Sequence, residues 1–114
     1  MSILRHCGIV VADIERAITF YCNVLGLKEA PAVQEKGSFL DGLLGFEQAD
    51  IRTAKLGGGD GSSLLELLEF KFPQPMDREV TLNSLGPTHI ALTVDNLDVI
   101  YKTLAQDGIV FNAP

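Results

Sequence analysis

A chain of 114 residues has the length of one domain, with material for one hydrophobic core and not for two independent ones. Its apolar share of 46% and charged share of 21% are ordinary for a soluble globular protein. A formal charge of -6 without any cluster of Lys and Arg excludes a phosphate-backbone binder, so nucleic acid is not an expected partner.

In chain order, Met1-Ser2-Ile3-Leu4-Arg5 lacks the basic, apolar and cleavage regions of a signal peptide, and no apolar run approaches a membrane span. No membrane partner is expected, and a cytoplasmic location follows by default. The first strand begins at His6. His6, Gly8 and Val10 alternate with Cys7, Ile9 and Val11, as a period of two requires. The second set is bulky enough to pack a helix, whereas the histidine face is small, which predicts a sheet lining a cleft. Asp13 suits a helix N-cap, with Ile14, Ala17, Ile18, Tyr21 and Leu25 at helical spacing and Gly26 as the stop. Cys7 and Cys22, on this strand and helix, make neither a disulfide framework nor a Cys-x-x-Cys pair, and buried thiols are expected.

Leu27-Lys28-Glu29 opens a second strand, and residues 34–46 read as a loop with one helical turn at Leu40–Leu44. Ile51–Leu56 and Ser63–Phe70 alternate as strands joined by a hairpin turn at Gly57-Gly58-Gly59-Asp60-Gly61. This glycine run is no phosphate cradle, because neither a helix nor Gly-Lys-Ser/Thr follows it. After a linker, Thr88-His89-Ile90-Ala91-Leu92-Thr93-Val94-Asp95-Asn96 repeats the first strand and its cap. Leu97, Ile100, Tyr101 and Leu104 follow as a helix closed by Asp107-Gly108, and Ile109-Val110-Phe111 begins a further strand. The internal repeat is a strand–helix–strand unit.

His6 and His89 are the two histidines of the chain and fall at equivalent positions of the repeat. A lone histidine in an apolar strand is most simply a packed or surface residue. Two at matching positions favour a functional pair. Glu66 shares a strand face with Leu64, Leu68 and Phe70, and a buried carboxylate needs a partner, a proton or a metal. The competing reading makes Glu66 a guard on an exposed edge strand. Glu69, on the opposite face, is expected in solvent. If three strands line one cleft, His6, Glu66 and His89 form a site suited to Zn, Fe, Ni, Co or Mn.

The run from His6 to Tyr21, then Val24-Leu25-Gly26-Leu27, resembles the opening of the vicinal oxygen chelate superfamily, which includes glyoxalases, bleomycin-resistance proteins and extradiol dioxygenases. Leu65-Glu66-Leu67-Leu68-Glu69 is similar to its first-module closing strand, and His89 to Leu97 to the start of its second module. The resemblance implies an α+β fold of paired β-α-β-β-β modules with curved mixed sheets around a cleft. Here the first module is 1–72, the linker 73–85 and an incomplete second module 86–114, within one glyoxalase-like domain.

Carried over by position, the resemblance makes His6, Glu66 and His89 three of four metal ligands, with the fourth a glutamate on a strand that these residues do not include. It implies a divalent metal cofactor, a small-molecule substrate with vicinal oxygens, and lyase, isomerase or epimerase chemistry in which Glu66 is the candidate proton carrier. The alternatives are an extradiol dioxygenase and a metal-free sequestering protein of the bleomycin-resistance kind. The half-built second sheet predicts either a homodimer that pairs or exchanges modules, or a missing C-terminal hairpin.

Overall fold

A computed structural model of the chain describes residues 2–29, 31–58, 64–87 and 89–113. It divides into two compact units, Met1–Met76 and Asp77–Pro114. The fold is α+β, as expected from the sequence.

The first unit carries β1 (Cys7–Val10), α1 (Ile14–Ile18), a π-helical turn (Thr19–Val24), β2 (Lys28–Glu29), β3 (Val33–Lys36), α2 (Ser38–Leu44), β4 (Asp50–Gly57) and β5 (Leu65–Phe72). The five strands form one mixed sheet in the order β1-β5-β4-β2, with β3 also on β4. The β1–β5 pair is parallel and the others are antiparallel. One expectation is corrected by this arrangement. Residues 34–46 are not a loop with a single turn, since they contain most of β3 and the whole of α2. The strand expected from Leu27 is present as β2, which pairs with Leu56 and Gly57, and after a break β3 pairs with Asp50 to Thr53 along the same side of β4. Pro31 lies in the break; without an N–H it cannot continue a ladder, and an edge is where a sheet tolerates it.

Alternation on the strands decides which face meets α1. Ala54, Leu56, Leu65 and Leu67 are buried under Ile14 and Ile18, with Ile9, Val11, Ala17, Tyr21 and Leu27 packed around them. Ile9 and Val11 of the bulky set therefore pack as predicted. The small set is partly filled: a Cβ on Gly8 would stand 3.2 Å from Leu68 Cδ1, so Leu68 leans over the strand where a side chain is missing. Gly8→Val should destabilise the first unit by no more than about 1 kcal/mol, since Leu68 Cδ1 is the movable end of a half-buried side chain and a β-branched residue favours the strand, read from the urea midpoint at unchanged slope. Helix α1 begins at Asp13, whose carboxylate accepts from the Arg16 N–H at 3.0 Å. At its junction with the π-helical turn, the Thr19 hydroxyl donates to the Glu15 carbonyl. Gly26, at φ 79°, ends the turn as expected.

β4 and β5 pair from Asp50↔Phe72 to Leu56↔Leu65, the antiparallel arrangement predicted for a hairpin. The expected glycine turn falls largely on residues 59–63, outside the described residues.

The helix of the second unit is α3 (Leu97–Gln106). Its cap repeats that of α1 closely. Asn96 has φ -142° and ψ 104° against -140° and 105° at Asp13, and its side chain accepts from the Val99 N–H at 3.1 Å. Past the Gly108 turn, Phe111 packs against Tyr101 with ring centroids 4.6 Å apart and the planes tilted by 56°. The strands expected at 88–95 and 109–111 are not formed among the described residues. β1 becomes a strand because β5 supplies its ladder; within the described part of the second unit no extended segment does so for 89–94.

Candidate functional site

His6 and Glu66, far apart along the chain, meet on the sheet face opposite α1. The parallel register pairs Gly8 with Glu66, and the Cys7 N–H donates to the Leu64 carbonyl at 3.1 Å, which sets His6 just ahead of the strand. His6 Nε2 lies 3.2 Å from Glu66 Oε2, with side-chain exposures of 30% and 19%. The pair is half-buried yet reachable, the condition a ligand site needs. His6 Nδ1 is buried and makes no hydrogen bond. Glu66 does not guard an edge, since β5 runs between β1 and β4.

The separation of these two atoms tests whether they suit a metal. Two donors at about 2.1 Å from one ion, with angles between octahedral and tetrahedral, stand about 3.0 to 3.4 Å apart. The observed 3.2 Å falls within that span, and an imidazole nitrogen with a carboxylate oxygen is a donor set for Zn, Ni, Fe, Mn or Co. Within the described residues of the first unit, no third His, Cys, Asp or Glu completes a group of metal-ligand type. His89 is exposed and belongs to the second unit.

Glu69 is not in solvent. It is 7% exposed, on the face of β5 that packs against α1. Its Oε2 accepts from the Ile14 N–H at 2.7 Å, and its other oxygen pairs with the Lys71 ammonium. The Lys71 interaction, the Ile14 N–H and the charge of Arg52 hold the carboxyl below the usual glutamate range, against the opposing effect of burial. Arg52 itself is paired with Glu15 at 2.6 Å. The signal for this role was present in the alternation, because Leu65, Leu67 and Glu69 share the core face. What was not visible was the helix N-terminus waiting above it. Because the folded carboxyl is depressed, its stabilisation is present above the ordinary glutamate value and is lost as pH falls through that range and below. Acid unfolding of Glu69→Gln should therefore be flatter below about pH 5 than that of the unaltered protein, measured by circular dichroism.

The cysteine expectation is half corrected. Cys22 is partly buried against the core, but Cys7 is exposed, at the start of a strand that has a neighbour on one side only among the described residues. Two shallow concavities lie elsewhere in the first unit. One of about 530 Å³ is lined by Lys36, Asp41, Asp50 and Phe72, and one of about 350 Å³ by Asp13, Arg16, Phe20 and Tyr21. Neither includes His6 or Glu66.

Against known proteins, residues 3–114 match the family described as Glyoxalase/Bleomycin resistance protein/Dioxygenase superfamily. The uncharacterized protein YwkD of Bacillus subtilis (strain 168) is 29% identical over 108 residues, which are 93% of this chain and 72% of that protein. Among solved structures, a glyoxalase family protein from Bacillus cereus superposes with a TM-score of 0.82 at 24% identity, covering 92% of this chain and 71% of its own. The trypanothione-dependent glyoxalase I of Leishmania major gives 0.62 at 20% identity, covering 95% and 68%. These structures share the fold.

Proposed function

The chain belongs to the Glyoxalase/Bleomycin resistance protein/Dioxygenase superfamily, and from that premise we propose a metal-dependent enzyme of glyoxalase type acting on a small molecule with vicinal oxygens. The observation that carries this reading is the 3.2 Å approach of His6 Nε2 to Glu66 Oε2 on the open face of the sheet. Both residues are assigned as ligands of a divalent ion. His89, exposed in the second unit, keeps the candidate role that the sequence repeat gives it. A bound ion would act as a Lewis acid, stabilising enolate charge on a chelated substrate. Glu66 is placed to accept and return a proton at its carboxylate, as a general base held in a half-buried position. His6 keeps that carboxylate turned towards the open face. The activity class is a lyase, isomerase or epimerase, and a homodimer is the proposed assembly.

A second reading rests on the same contact taken as an ordinary hydrogen bond. At 3.2 Å His6 and Glu66 satisfy one another without an ion, which suits a protein that sequesters a small molecule. Calorimetric titration with Ni, Zn, Mn, Fe and Co separates the two. Binding of one of these ions, weakened in His6→Ala with His89→Ala, supports the enzyme. If no ion binds, or the double variant binds as well as the unaltered protein, the metal reading fails. Ligand capture that persists in chelator then favours sequestration.

A further inference from the structure

The geometry points to Glu69 as the positioning residue of the His6–Glu66 pair: its clasp on the Ile14 N–H sets the register in which β1 lies on β5. This rests on the reading of His6 and Glu66 as the site. Among the described residues β1 is an edge strand with β5 as its one neighbour in the sheet, and the pair is parallel. Parallel neighbours have no tight hairpin turn to fix their register. Here the two strands are joined through the whole of α1, β2, β3, α2 and β4. A slip by one residue would turn His6 to the α1 face, and a slip by two would carry it about 7 Å along the strand, out of reach of Glu66.

Beside the paired ladder of Cys7 to Val10 and the packing of Ile9 and Val11, three hydrogen bonds oppose such slips. The Cys7 N–H donates to the Leu64 carbonyl and the Val11 N–H to the Leu68 carbonyl. Backbone bonds of this kind could re-form in a shifted register. The third cannot, because Glu69 accepts from Ile14, whose N–H is free of the ladder at the start of α1. The helix does not depend on Glu69 for its cap, since Asp13 supplies one. Nor is the carboxylate loose: Lys71 holds its second oxygen, and burial on the core face keeps water from competing. Glu66 and Glu69 lie on one strand with opposite orientations, so a shift of β1 relative to Glu69 is equally a shift of His6 relative to Glu66.

Amide hydrogen exchange and Ni titration of Glu69→Gln and Glu69→Ala test the assignment. Glu69→Gln retains an acceptor oxygen but loses the charge. The Cys7 and Val11 amides should then exchange about fivefold faster relative to the β4–β5 ladder, which stays as it was. Glu69→Ala should bind Ni more than about tenfold more weakly, with Glu69→Gln recovering most of that loss. If Cys7 and Val11 gain no more exchange than the β4–β5 amides, or a folded Glu69→Ala binds Ni normally, Glu69 does not set the register. Where Glu69→Ala fails to fold, the exchange result on Glu69→Gln decides. Absence of Ni binding in the unaltered protein would sink the metal reading instead, and the exchange comparison would still judge the clasp.

Discussion

Leu67→Ala is expected to lower the stability of the first unit by about 3–4 kcal/mol, a larger loss than that expected of Gly8→Val. Leu67 is fully buried in β5, flanked in the ladder by Ile9 on one side and Ala54 on the other. Both neighbours are fixed by strand hydrogen bonds, and Ile14 and Ile18 close the space above. The walls of the resulting cavity cannot collapse without breaking the sheet, so the cost stays clear of the lower end of the range for such truncations. Urea unfolding followed by circular dichroism would measure it. A loss below about 1 kcal/mol would mean that α1 can settle onto the sheet, and the packing described would be wrong.

His6→Ala and Glu66→Ala are each expected to weaken divalent metal binding by more than about a hundredfold, since even partners that merely orient a ligand account for roughly ten- to a hundredfold. Removing either residue leaves the other on the same open face with one donor fewer. The two losses should not add, because in the proposed site both residues hold the same ion. Glu66→Gln is the informative control: it preserves the volume and one oxygen but removes the charge that favours a dication. It should bind metal more weakly than the unaltered protein, while urea unfolding stays within about 1 kcal/mol. Equal metal affinity in His6→Ala and the unaltered protein would leave the 3.2 Å contact as a structural hydrogen bond alone.

Local pattern determined a good deal of this protein. The period of two in His6 to Val11 correctly separated the helix-packing face from the histidine face, since alternation is imposed by the backbone itself. The caps Asp13 and Asn96 and the stops near Gly26 and Gly108 were legible for the same reason, as each acts within one turn of its own chain. The likeness of residues 3–114 to the superfamily was legible as well, and it brought the α+β fold with it.

Only the tertiary structure decided what depends on partners distant in sequence. Alternation placed Glu69 on the core face, yet solvent was expected for it, because the Ile14 N–H and Lys71 that satisfy it could not be foreseen. The segment 89–94 has the residues of a strand but forms none among the described residues, since a strand exists through its neighbour's hydrogen bonds. β1, with a similar sequence, has β5. That same pairing brings His6 to Glu66, a proximity that no spacing along the chain encodes and that the parallel register alone creates.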